Sequence, residues 1–506
     1  WFGDLVTMAW WNGLWLNEAF ATFMEMLAVD AWKPAWERWA TFGVSRAAAL
    51  ALDGLGSTRP IEFPVRAPKD ADAMFDSLTY EKGASVLRTI EQYLGPEVFR
   101  EGVRRYLAEH RYANAETTDL WQALGAASNT PIPQLMDGWV FRDGYPLVTV
   151  SVEERRRLVL SQSRFTYLAD GAGEPELWQI PIALRVGMRG GAVIRTVLLA
   201  DAETHVDLPG SIEWVVVNAG GHGFYRVRYA PELLRKLTRR LQRVAPIDRF
   251  NFLNDAWAET LAGLISVRDY LDLTAQFRGE TDKNVWAVLI GSLAYLNRVI
   301  PPGLRPRLEA LARDRLGPAV ERLGFIPESD EGDLTRQLRG DLIRAMGTLG
   351  NDPEIQAEAR KLYRRAPDDA GAVDPNVLPA LIAILAHAGG EEEYAEFFER
   401  FKNAGTPQEE QRYLYSLAGF RRAEQLSRTL EKTVNGEIRS QDAPFLARAL
   451  LSSVYAREMA WDFVKANWAA MERRFPAKSG LRRMCEGITA LATPELEADV
   501  REFFSS

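Results

Sequence analysis

The sequence predicts a multidomain, mainly α-helical protein: a helical region, then a small antiparallel β-sandwich, then a large α-solenoid. Three observations predict it. At 506 residues the chain is longer than one hydrophobic core usually serves, and a length prior points to about three domains. Seven short, β-branched segments crowd the roughly 85 residues after "DGYP", a density that argues for an antiparallel sandwich. On both sides of them apolar residues recur with helical period, and after Pro231 that period persists to the end of the chain.

Taken in order, residues 1–143 hold helix candidates over 16–30, 33–51, 80–94, 96–110 and 118–128. The stretch 53–76 carries Pro60, Pro64 and Pro68, too many residues without an N–H donor for a helix interior. Residues 144–230 read as the sandwich, from "PLVTVSV", "RLVLSQS" and "LWQIPIALRV" through "AVIRTVLL", "THVDL" and "IEWVVVN" to "FYRVRY". Residues 231–506 return to amphipathic helices such as "FNFLNDAWAETLAGLI" and "LTRQLRGDLIRAMGTLG", whose natural packing is stacked pairs. No repeating motif accompanies them, so the solenoid rests on helical period alone.

Composition narrows the function. Hydrophobic residues make up 47% and charged residues 26% of the chain, the balance of a globular protein. A net charge of -8 disfavours general nucleic-acid binding, which calls for a basic surface. The single cysteine, Cys485, excludes an intrachain disulfide framework and fits a reducing, cytoplasmic setting. The best apolar run, "VLPALIAILAHAG" around Leu381, is too short to span a membrane and reads as a buried helix. The chain opens on "WFGDLVTMAWW", far more aromatic than a solvated terminus, which predicts a fragment with sequence missing upstream.

Two residues stand out as candidates. With Asn17 as N-cap, a helical winding places Phe20, Phe23, Met24 and Leu27 on one stripe and Glu18, Ala21, Thr22 and Glu25 on the other. The Glu18 side reads as a solvated face. Its neighbourhood supports another reading, because Trp10, Trp11, Trp15, Trp32, Trp36 and Trp39 flank it. A carboxylate in a partly dry aromatic setting needs an ion pair, a proton or a metal. The four histidines, His110, His205, His222 and His387, are remote in sequence, and no H-E-x-x-H occurs. Tyr80, in "FDSLTYEKGASVL", falls near a helix start, where a core tyrosine with its hydroxyl tied to backbone is the plain reading.

The segment "WFGDLVTMAWWNGLWLNEAFATFME", followed by "TYEKGASVL", resembles the M1 family of zinc aminopeptidases, the gluzincins. In that family H-E-x-x-H is followed by eighteen residues and then a ligand Glu inside "LNE". Members commonly read H-E-x-x-H-Q-W-F-G. Counting that Gln and residues 1–17 closes the spacing, and the next residue is Glu18. The resemblance implies that the chain is the C-terminal portion of such an enzyme, lacking the H-E-x-x-H segment and inactive alone. It also implies that residues 1–143 are the helical part of a thermolysin-like catalytic domain.

By the same resemblance Glu18 is the third protein ligand of a zinc ion whose two His ligands are not in this chain, and Glu25 is a possible supporting partner. Tyr80 becomes the donor to the oxyanion formed at a peptide carbonyl. Glu81 and Lys82 keep a structural role. Peptide substrates are the implied partners, with no nucleic acid and no membrane segment. Two other readings remain. A non-catalytic relative would use the solenoid to bind proteins, but has no need of Glu18 and Tyr80. The leukotriene-hydrolase branch carries a shorter C-terminal helical domain than this one.

Overall fold

The computed structural model describes residues 1–168, 176–366, 373–475, 477–491 and 493–505. The chain divides into two compact units, Trp1–Val288 and Leu289–Ser506, and is mainly helical, with a β region between the early helices and the long helical stretch.

In the first unit the Glu18 helix runs Trp15–Trp32, entered through a 3-10 turn at Trp11–Leu14. Asn17 therefore lies inside the helix and does not cap it. The buried stripe is Trp15, Leu16, Ala19, Phe20, Phe23 and Met26, whereas Met24 and Leu27 are exposed. Aromatic packing turns the helix this way: Phe2 stacks on Phe20 at 4.0 Å, and Phe23 meets Phe99 edge-on at 5.6 Å. The helix expected over 33–51 starts late. Pro34 opens a 3-10 turn, Glu37 is left-handed at φ 46, and the helix runs Arg38–Asp53.

Further helices span Gly83–Leu94, Pro96–Glu109 and Thr117–Ser128, close to expectation. Another, Ile132–Val140, buries Ile132, Leu135, Met136, Trp139 and Val140. Its helical period was present in the sequence but is only nine residues long. The proline-bearing stretch contains only the short helix Pro68–Asp72. Two short strands unforeseen in the sequence, β1 (Val6–Met8) and β2 (Ala113–Ala115), pair in parallel.

The seven expected strands are all present: β3 (Pro146–Glu153), β4 (Arg157–Arg164), β5 (Ile180–Met188), β6 (Gly191–Leu199), β7 (Glu203–Asp207), β8 (Ile212–Val217) and β9 (Arg226–Tyr229). They form two sheets, ordered β7-β4-β3-β9 and β6-β5-β8. One pairing departs from the antiparallel expectation, since β9 runs parallel to β3 with Leu147 opposite Arg226.

A long-range anchor holds that strand. Arg226 is 1% exposed; its Nε donates to the Tyr145 hydroxyl at 3.0 Å, and Nη1 donates to Asn254 Oδ1 at 2.8 Å. Asp255 pairs with Arg226 at 3.2 Å and also accepts the Val227 N–H at 3.1 Å. A strand seated by contacts this remote in sequence leaves no local trace of its direction.

The second unit stacks helices around one core containing Leu381, Phe397, Leu414, Leu450 and Trp461. Helix Asp333–Thr348 contacts both Arg305–Leu323 and Leu378–Ala388, and Glu391–Lys402 contacts Pro407–Ser416. The apolar run around Leu381 is the buried helix Leu378–Ala388. No described helix is long and apolar enough to cross a membrane.

The helix Pro246–Leu261 in the first unit buries Asp248, Asp255 and Glu259. Burial pushes both aspartates up to about 6. Burial, reinforced by the neighbouring Asp255 charge, pushes Glu259 up to about 8. The folded state thus keeps a proton on Glu259 that the unfolded chain releases near its ordinary value of 4.5. The stability from that proton is complete below the ordinary value and is lost as pH rises through about 8. Glu259→Gln, which mimics the protonated acid, should gain stability relative to the parent progressively as pH rises from about 5 to about 9. Thermal melts across that range check it; a constant difference would contradict it.

Candidate functional site

Glu18 lies in the first turn of its helix, where the partial positive charge of the helix start favours a carboxylate. The start itself is pinned. The Trp15 indole Nε1 donates to Thr117 Oγ1 at 2.9 Å and to Glu62 Oε2 at 3.1 Å. Glu62 also accepts from Asn12 Nδ2 at 2.6 Å and Thr117 Oγ1 at 2.5 Å. Trp15, Leu16, Ala19 and Phe20 around Glu18 are buried, and Glu18 itself is half-buried.

Tyr80 sits in a π-turn, Leu78–Lys82, that leads directly into the helix Gly83–Leu94. The Gly83 N–H reaches back five residues to the Leu78 carbonyl. A π-turn inserts one extra residue, which re-aims the side chains before it, and such turns concentrate at functional sites. Asp76 caps the turn: its Oδ1 accepts the Leu78 N–H at 2.9 Å and pairs with Arg59 at 2.6 Å. Arg59 also donates to Thr79 Oγ1 at 3.0 Å.

One contact brings this turn against the Glu18 helix, and a second fixes it to the Arg38–Asp53 helix. Gly83 packs so closely that a Cβ there would stand 2.6 Å from the Ala19 Cβ, so only glycine permits this helix separation. Lys82, wholly buried, pairs with Asp53 at 2.7 Å and donates to the Gly144 carbonyl at 3.1 Å. The Gly144 N–H in turn donates to Asp53 Oδ1 at 3.1 Å. Lys82 is thereby committed to structure.

The result is that the Tyr80 hydroxyl lies near enough to the Glu18 carboxylate to be influenced by it: burial first, then the hydrogen-bonding attraction and the charge of Glu18, push the phenol up to about 12. Tyr80 is therefore a neutral donor at physiological pH. Glu81 is raised, first by burial and also by the Asp76 charge, while its hydrogen bond to Ser77 opposes the rise. Glu25 is exposed and pairs with Arg38 at 3.2 Å.

The histidines are dispersed. His110 packs against the Tyr106 ring and His205 lies 3.6 Å from Glu203. His222 is in a loop, where burial and the charges of Arg88 and Arg46 depress it to about 3. Among the described residues no three His, Cys, Asp or Glu side chains stand together as a metal site. Glu18 supplies one anionic ligand position, and zinc sites need three or four protein ligands.

Three parts of this site lay beyond the sequence reading. Glu62 and Arg59 come from a proline-bearing loop with no pattern. Asp53 did leave a signal, because an aspartate in the last turn of a helix opposes the helix dipole and implies a compensating cation.

Known proteins similar in sequence show the family in which this arrangement of Glu18, Tyr80 and the sandwich stands. The peptidase family M1 domain matches residues 1–139, and the ERAP1-like C-terminal domain matches residues 214–506. The chain belongs to the family of the ERAP1-like C-terminal domain, whose model covers more than half of it, and its first 139 residues are similar to the peptidase family M1 domain. Aminopeptidase M1-A of Oryza sativa subsp. japonica is 32% identical over 523 residues, covering 100% of this chain and 59% of the relative. Aminopeptidase M1 of Arabidopsis thaliana is 32% identical over 541 residues, covering 100% and 60%. Tricorn protease-interacting factor F2 of Thermoplasma volcanium is 31% identical over 490 residues, covering 96% and 59%. The chain thus spans about three-fifths of the length of these relatives.

One expectation is corrected. The chain is not the C-terminal portion lacking the H-E-x-x-H segment that the resemblance implied, because the M1 peptidase domain itself matches residues 1–139. The physical reason is visible in the fold: Trp15, Phe23, Trp121 and Trp139 of that stretch share one buried core.

Two measurements on this chain test the site. Glu18→Gln removes the charge that holds the Tyr80 proton, so the phenol should titrate below about 12. The ring-carbon NMR shift of Tyr80 across an alkaline titration reads this, and an unchanged midpoint would break the link. Lys82→Met should cost about 3–5 kcal/mol by leaving Asp53 buried and unpaired. Adding Asp53→Leu should restore much of the loss in urea unfolding.

Proposed function

We propose that the chain carries part of the active site of a zinc-dependent aminopeptidase acting on peptides. Glu18 is one metal ligand and Tyr80 is the donor to the reacting carbonyl oxygen. The proximity of Tyr80 to Glu18, whose carboxylate together with burial raises the phenol, carries this reading, and the aminopeptidase names of the rice and Arabidopsis relatives support it. Zinc, when bound, supplies a polarising Lewis acid and a water acidic enough to attack near neutral pH.

The chain's own groups have definite tasks. Burial first, then the attraction of Glu18, keeps the Tyr80 proton in place. The Tyr80 hydroxyl can donate instead to a carbonyl oxygen as negative charge develops there. A phenol does this without adding a second charge to the site. The Asp76 cap and the Lys82–Asp53 pair hold the turn, so Tyr80 changes partner with little backbone movement. The reading extends to a division into 1–143, 144–230 and 231–506, and to a cytoplasmic setting consistent with the single thiol, Cys485.

In the whole protein, Glu18→Ala should lose most of its zinc. Tyr80→Phe should keep the metal and lose about 10²–10³-fold in kcat with KM little changed. Metal analysis and aminoacyl-amide hydrolysis measure both, and equal loss of zinc in the two variants would overturn the division of roles. A whole protein with neither zinc nor hydrolysis would instead return the non-catalytic scaffold reading.

A further inference from the structure

The second unit contains a cavity of about 650 Å³, within the size range of small-molecule sites. Its wall carries three guanidinium groups, Arg298, Arg344 and Arg412, against one carboxylate, Glu309. None of the three arginines has an ion-pair partner among the described residues. Glu309 is itself engaged, accepting from Asn351 Nδ2 at 3.3 Å.

A second, independent observation comes from His387. It lines the same cavity, is only 9% exposed, and its Nε2 is buried without a hydrogen-bond partner. Burial, with the Arg421 charge, depresses this imidazole to about 4, so it is neutral at physiological pH. A buried polar nitrogen left unpaired costs stability unless something is brought to it. Nearby, the Tyr455 ring in the cavity wall lies within 5.4 Å of Arg305 and 5.8 Å of Arg421, which adds positive potential.

We propose that this cavity binds a small multivalent oxyanion carrying at least two carboxylate or phosphate groups. The guanidinium forks of Arg344, Arg412 and Arg298 take the oxygens in charge-assisted hydrogen bonds. The wall's formal charge of +2 from these four side chains selects at least a dianion, and the volume leaves room for more than one anionic group. The inference is independent of the peptidase reading and of Glu18 and Tyr80.

Isothermal titration of the full chain with pyrophosphate and with citrate, at ionic strength matched by sodium chloride, tests it. At least one should bind saturably, with Kd below about 1 mM. Binding of pyrophosphate alone identifies a phosphate ligand, and of citrate alone a polycarboxylate; either supports the proposal. Arg344→Gln and Arg412→Gln should each weaken binding at least about tenfold. Arg501→Gln, which removes an exposed partner of Glu497, should leave it unchanged. As a check that needs no variant, the bound anion should protect Arg344 and Arg412 of the parent from phenylglyoxal, mapped by mass spectrometry. No saturable binding of either anion, or binding without that protection, overturns the proposal.

Discussion

The buried ion pair between Lys82 and Asp53 is the constraint on which the first unit's organisation rests. Both side chains are shielded from water, so neither charge is tolerable without the other. Their partner, Gly144, lies where the helical region passes into the sandwich, and its N–H and carbonyl both join the cluster. Three segments far apart in sequence therefore meet at one point: the Tyr80 turn, the end of the Arg38–Asp53 helix, and the entry to β3. The energetic asymmetry matters more than the net gain. Such a pair contributes modestly when complete but strongly penalises any arrangement that separates it, and so it selects one geometry.

That geometry is used a few ångströms away. With the turn fixed by Lys82 on one side and by Asp76 with Arg59 on the other, the missing side chain of Gly83 lets the Glu18 helix approach until Ala19 touches it. The π-turn then aims Tyr80 at Glu18. No single one of these features is catalytic. Together they bring a carboxylate and a phenol 62 positions apart to one place, where burial first and Glu18 next raise the phenol.

The sandwich and the helix Pro246–Leu261 solve a related problem with different residues. Arg226 and Asp255 anchor β9 against β3, and the same carboxylate raises the proton affinity of Glu259 one turn further on. Buried charge here too specifies which elements may be neighbours, at the cost of a stability that depends on pH. In the second unit the cationic cavity shows the complementary case, where charges left without internal partners mark a surface that expects a ligand.

Much of this protein was determined by its sequence alone. The helices, the seven strands and the buried Leu381 helix were legible because each imposes a period of its own on the apolar residues. Glu18 and Tyr80 were legible as a family motif, not as chemistry: composition allowed a solvated glutamate and a core tyrosine. Local pattern misjudged the buried stripe of the Glu18 helix, the break at Pro34 and Glu37, and the parallel pairing of β9. Only the tertiary structure decided those, together with the meeting of Tyr80 and Glu18 and the roles of Asp53, Glu62 and Arg226. The reason is physical. Periodicity reports which side of an element avoids water, whereas partners in a buried polar contact are chosen by folding, over separations that no local pattern records.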